Sequence, residues 1–101
     1  MNADKVLLDA MVKHFVKYNG IERAVLFGSR ARGDCSERSD YDIAVYGKLA
    51  REEISGLSCA FEEELPTLHK VDLVFVQNVA NEKLLSEIEK DGVEIYVQSR
   101  K

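Results

Sequence analysis

A chain of 101 residues, 46% apolar and 32% charged, has material for one compact domain over residues 1–101 and none for a second core. A net charge of −4 and an isoelectric point near 5.2 argue against a dedicated polyanion binder, which shows a basic face and a pI above about 9, so nucleic acid is not expected as a direct partner. No run approaches the roughly 18 apolar residues that span a bilayer, and Cys35 and Cys59 lack the paired spacing of a zinc site. The expectation is a cytoplasmic protein with two free thiols.

Within residues 3–18, Leu7, Leu8, Met11, Val12 and Phe15 recur at helical spacing, with Asn19-Gly20 as a left-handed stop. Ala24-Val25-Leu26-Phe27 reads as a first strand ending at Gly28. The Arg-rich stretch after it holds a turn and one turn of helix before a second strand over residues 41–46. Ile54, Leu57, Phe61 and Leu65 mark a helix closed by Pro66, because the residue before proline is pushed out of the α region. Val71 to Val76 is a third strand, apolar enough to be buried on both faces apart from Asp72. Asn81 is placed to cap another helix, with Leu84, Leu85 and Ile88 on one face and Asp91-Gly92 as its stop. Val93, Ile95 and Val97 then alternate with polar or amphipathic residues, as in a strand with one wetter face.

Gly28-Ser29, ten residues, Asp40-Tyr41-Asp42, and a third aspartate at Asp72 stand out from this framework. Asp is depleted in strands because its short side chain competes for backbone hydrogen bonds, yet three lie at strand entrances. Gly28-Ser29 ends its strand, whereas the aspartates begin theirs. For all five to meet, the first strand must run opposite to the second and third. The helical connection from the second strand to the third is long enough for a parallel, right-handed crossover. The expected fold is therefore α/β in the α+β sense, a mixed four-stranded sheet with helices packed on it.

Residues two apart in a strand share a face, so Asp40 and Asp42 present their carboxylates together, and a divalent cation is the simplest way to keep both ionised. Mg²⁺ takes oxygen ligands, commonly one or two carboxylates plus substrate phosphates. Asp72 on a neighbouring strand completes a second metal position, since paired-metal sites hold their ions about 3.5–4 Å apart. Gly28 lets a phosphate approach the backbone, Ser29 can donate to it, and Arg30 and Arg32 can set guanidinium groups against the remaining oxygens. The constellation reads as a site for two Mg²⁺ ions and a nucleoside triphosphate.

Each part alone has a plainer reading: Gly-Ser as a turn, Asp-x-Asp as a solvated loop edge or helix cap, Asp72 as a strand-edge carboxylate paired with Lys70 or a backbone N–H. Their joint spacing is what favours a site. His14 and His69 have no partner spacing and read as structural or surface residues, and Glu62-Glu63-Glu64 reads as a solvated helix face.

Gly28-Ser29-Arg30-Ala31-Arg32-Gly33-Asp34, followed by Ser39-Asp40-Tyr41-Asp42-Ile43-Ala44-Val45, resembles the G-S-x(10)-D-x-D signature of the DNA polymerase β-like nucleotidyltransferase superfamily. The short length is similar to its minimal nucleotidyltransferase (MNT) branch, and the likeness covers essentially the whole chain. It implies that Asp40 and Asp42 bind both metal ions, that Asp72 helps bind one and activates an incoming hydroxyl, and that Gly28 and Ser29 hold the triphosphate of ATP. It implies transfer of AMP with release of pyrophosphate. It further implies a partner, a HEPN-domain toxin that an MNT antitoxin binds and silences by AMPylating a tyrosine. Two other functions compete: a non-catalytic module that neutralises its partner by contact, and AMP transfer to a small molecule of aminoglycoside type. The latter is disfavoured because those larger relatives carry an extra helical domain for the acceptor.

Overall fold

The computed structural model describes residues 3–33, 40–67 and 69–98; Cys35 lies outside them. The first helix, α1, spans Lys5–Phe15 and is started by Asp4, whose carboxylate accepts from the Val6 amide at 2.8 Å. Leu7, Met11 and Phe15, four residues apart, are its buried face. It closes through Val16 in right-handed geometry and two tight turns, and Gly20 has no positive φ. The expected left-handed stop at Asn19-Gly20 is therefore absent. Gly20 serves another purpose: a Cβ there would overlap the Lys48 carbonyl, and the Gly20 carbonyl accepts from the Lys48 amide at 3.1 Å.

The remaining elements are β1 (Ile21–Phe27), α2 (Ser29–Arg32), β2 (Tyr41–Gly47), α3 (Arg51–Glu63), β3 (Val71–Phe75), α4 (Glu82–Asp91) and β4 (Val93–Val97). The sheet order is β3-β2-β1-β4. β1 runs antiparallel to both β2 and β4, and β2 runs parallel to β3. This is the mixed four-stranded sheet the sequence implied, with β1 reversed against the two aspartate strands.

β1 begins three residues before its apolar run. Arg23 interrupts the alternation, but its guanidinium lies 4.0 Å from the centre of the Tyr46 ring and 3.4 Å from Glu94 Oε2, so neighbouring strands accommodate it. β3 departs from expectation in the other direction: all five of its residues are half-buried rather than enclosed, because β3 is an edge strand with a neighbour on one side only. Val76 leaves the strand for a 3₁₀ turn over Val76–Asn78. There the Gln77 amide donates to the Leu49 carbonyl and accepts from the Leu49 amide, which anchors the segment after β2.

α3 opens with the Glu53 carboxylate accepting from the Ala50 amide at 2.9 Å and ends ahead of Pro66 as the proline requires. Asn81 caps α4 by accepting from the Lys83 and Leu84 amides. Gly92 stops α4 with φ −66° and ψ 142°, an extended conformation and not a left-handed one. Its missing Cβ makes room for Val25 and the Ile88 carbonyl.

Two apolar layers result. Leu7, Met11, Phe15, Leu57 and Phe61 pack on one face of the sheet against Leu26, Tyr41, Ile43 and Val45. Val25, Phe27 and Ala44 on the other face meet Ile88 of α4. Burying each such side chain contributes about 1.5–3 kcal/mol. No helix among the described residues is long and apolar enough to cross a membrane.

Candidate active site

Strand register assembles the site. Phe27, the last residue of β1, pairs with Asp42 of β2, and Asp42 pairs with Asp72 of β3. Paired residues on adjacent strands share a face, and strands lie about 4.7–4.9 Å apart. Asp42 and Asp72 are thus side by side at the end of β1 where Gly28 follows. Two residues further along their strands stand Ala44 and Val74, both in the layer beneath α4, so the carboxylates occupy the same face as that single helix. Asp40 is exposed immediately before β2.

Burial first, and then the charges of Asp72 and Asp40, pushes the Asp42 carboxyl above its ordinary value. Asp42 therefore senses the charge of both other aspartates. Gly28 is fixed by two constraints. Its φ of 78° and ψ of −158° lie outside the range open to other residues, and a Cβ would stand 2.7 Å from Asp42 Oδ2. Ser29 opens α2, the Gly28 carbonyl accepts from the Arg32 amide at 3.2 Å, and Gly33 ends the turn in left-handed geometry with φ 85°. The first amides of such a turn have no carbonyl partner within it and face outward from its start.

The donor set fits a hard divalent cation. It consists of carboxylate oxygens under mutual repulsion, which is the condition a cation relieves. Among the described residues no group of three His, Cys, Asp or Glu side chains is close enough to hold a metal ion together. Asp72 also meets Lys70, with Nζ 3.5 Å from Oδ1, though the Lys70 side chain is 70% exposed; the plainer reading of Asp72 as an ion-pair partner describes a contact that exists.

The two arginines expected to face phosphate make contacts of their own within the fold. Arg30 is only 6% exposed, and its guanidinium carbon lies 4.1 Å from the centre of the Tyr41 ring. Arg32 Nη1 is 3.5 Å from Asp91 Oδ2, joining α2 to the end of α4. Tyr41 points to the face opposite its flanking aspartates, and its hydroxyl accepts from the Asp4 amide at 3.3 Å. On the far side of Tyr41 stands the His69 ring, edge-on at 6.1 Å. Arg30, Tyr41 and His69 thus form a row beneath the site that links α2, β2 and the entrance to β3. The sequence signal for this row was the alternation that turns Tyr41 inward; nothing in the spacing marked His69 as its neighbour.

A family model described as "Polymerase beta, Nucleotidyltransferase" matches residues 10–101. A provisionally named protein adenylyltransferase of Methanocaldococcus jannaschii is 44% identical over 50 residues, which are 48% of this chain and 50% of that protein. The match thus spans half the length of that relative. Among solved structures, a provisionally named minimal nucleotidyltransferase superposes with a TM-score of 0.65 at 27% identity, covering 85% of this chain and 86% of its own. A chain of a toxin–antitoxin structure with AMP-PNP gives 0.69 at 23% identity, covering 90% and 73%. A chain from the complex of a tri-AMPylated Shewanella oneidensis HEPN toxin with its MNT antitoxin gives 0.61 at 21% identity, covering 93% and 72%. The last two likenesses concern the fold. With a family match running from residue 10 to residue 101 and a sheet that brings the Gly-Ser turn to the paired aspartates, the chain belongs to the polymerase beta nucleotidyltransferase family.

Proposed function

We propose that this chain is a Mg²⁺-dependent protein adenylyltransferase acting as an antitoxin, with ATP as donor and a HEPN-domain toxin as acceptor. The observation that carries the reading is the register that sets Asp42 beside Asp72 at the mouth of the Gly28-Ser29 turn. Support for the acceptor comes from the kinship with a protein named as a protein adenylyltransferase and from the fold shared with chains of toxin–antitoxin complexes.

In this reaction Asp40 and Asp42 would hold two Mg²⁺ ions, and Asp72 would help to hold one of them. When bound, the ions supply charge neutralisation for the phosphates and for the attacking and leaving oxygens. Gly28 and Ser29 seat the β- and γ-phosphates, where backbone amides and the Ser29 hydroxyl donate to their oxygens. Asp72 accepts the proton of the acceptor hydroxyl, whose oxygen forms a bond to the α-phosphorus. The bond from that phosphorus to the bridging oxygen breaks, and pyrophosphate leaves. Arg30 holds Tyr41 and through it the start of β2 from beneath the site, and Arg32 fixes α2 against α4 on the aspartate face.

Incubating the chain with ATP labelled on the α-phosphate, Mg²⁺ and the toxin is expected to label the toxin, and Asp42→Asn is expected to abolish labelling. Equal labelling by wild type and Asp42→Asn, or none by either with any nucleotide, would remove the reading. The Lys70–Asp72 ion pair favours a second reading, in which the chain neutralises its partner by contact and the carboxylates are structural. Under that reading Asp42→Asn neutralises the toxin as well as wild type does.

A further inference from the structure

Asp72 sits on the edge strand of the sheet, and an ammonium stands beside it. Lys70 immediately precedes β3, and residues two apart along a strand share a face. Its Nζ lies 3.5 Å from Asp72 Oδ1. The contact is open: the Lys70 side chain is 70% exposed and that of Asp72 42%. Lys70 also borders a cleft of about 350 Å³ between α3 and β3, lined by Ser58, Phe61, Thr67 and Leu73, so free space lies beside it at the sheet edge.

The register sets Asp42 next to Asp72, one strand spacing of about 4.7–4.9 Å apart. Two carboxylates that close repel unless a positive charge stands between or beside them. Lys70 supplies one such charge, as a point charge on a flexible four-carbon stem. A divalent cation supplies two, and bonds carboxylate oxygen directly. Ammonium and metal ion therefore seek the same oxygen atoms. We propose that Lys70 is the resident counter-ion of Asp72, a placeholder that a divalent cation must displace, so that Lys70 sets the cation concentration at which the Asp72 position fills. This inference rests on the transferase reading above only in taking the aspartates as cation ligands. An exposed ion pair of this kind competes at the level of about two- to fivefold in an equilibrium constant.

Titration of the nucleotide-free chain with Mn²⁺, a paramagnetic ion that shares the oxygen ligands of Mg²⁺, tests it, with free ion read by electron paramagnetic resonance. Lys70→Gln should bind Mn²⁺ about two- to fivefold more tightly than wild type, and Lys70→Arg, which keeps a cation there, should match wild type. Lys48→Gln removes the same charge beyond the far end of β2 and should change nothing, because exposed charges further apart than about 8–10 Å are screened. In an Asp72→Asn background the gain from Lys70→Gln should vanish, since the competition is for that carboxylate. Unchanged or weaker Mn²⁺ binding by Lys70→Gln, or an equal gain with and without the Asp72 carboxylate, would overturn the proposal. A gain that depends on Asp72, in a chain whose wild type transfers no nucleotide, would uphold the counter-ion and sink the transferase reading instead.

Discussion

Gly28 combines a backbone conformation with a distance limit, and the two have separate consequences. Replacing it with alanine places a Cβ at positive φ, a strain of about 1–3 kcal/mol, and drives the added carbon into Asp42 Oδ2. Gly28→Ala is expected to lower the melting temperature by several degrees, at about 4–8 °C per kcal/mol for a domain of this size, and to cost transfer activity at least about a hundredfold through the displaced carboxylate. Calorimetry and a labelled-ATP assay check the two effects independently. Asp42 behaves in the opposite sense. Its carboxyl is raised in the folded state by burial and by Asp72 and Asp40, so the folded chain binds protons more readily than the unfolded one. The sign follows: this group's contribution to stability is fully present below the ordinary carboxylate pKa and is lost as pH rises through the elevated one. At neutral pH without metal, Asp42→Asn is expected to be more stable than wild type, with the gap narrowing as the pH falls through the carboxylate range. Urea midpoints of both proteins at several pH values would show it; a gap that widens on acidification would contradict the electrostatic account.

Among the elements, β2 carries the site, and its entrance is held from below. Tyr41 is buried between the Arg30 guanidinium and the His69 ring, and its hydroxyl accepts from the Asp4 amide at the start of α1. Tyr41→Phe removes one hydrogen bond, about 0.5–1.5 kcal/mol, and keeps the stack. Arg30→Ala removes a buried cation–π contact, about 2 kcal/mol when desolvated, and frees α2 from β2. Arg30→Ala is therefore expected to lose more stability and more affinity for Mg-ATP than Tyr41→Phe; chemical denaturation and nucleotide titration would rank them. Most elements were legible because their apolar spacing is regular, and the Asp-x-Asp and Asp72 entrances revealed the direction of β1. Three things were hidden. Arg23 masked the start of β1 because its partners, Tyr46 and Glu94, come from other strands. The half-buried state of β3 depends on its place at the sheet edge, which the composition of one strand does not encode. The packing of Arg30 on Tyr41 depends on that ring lying across from it, which the charge of Arg30 alone does not indicate.

At the scale of the whole molecule, α4 packs on the aspartate face of the sheet while α1 and α3 share the other. A cation that binds the folded chain and not the unfolded one adds stability by mass action. Adding Mg²⁺ together with a non-hydrolysable ATP analogue is expected to raise the melting temperature of wild type by several degrees, a stabilisation of about 2.7 kcal/mol at a hundredfold excess over Kd. Asp42→Asn should show little of that rise, so that its advantage in metal-free buffer reverses. Differential scanning fluorimetry with and without the ligands reads both states.

The edge of the sheet between α3 and β3 has a consequence over evolutionary time. Ser58 and Thr67, which line the cleft there, lie outside the apolar layers that hold the sheet and outside the residues proposed to seat phosphate and metal. Substitutions there come at little expense to folding or to chemistry. Over many generations those two positions can drift while the carboxylates stay fixed.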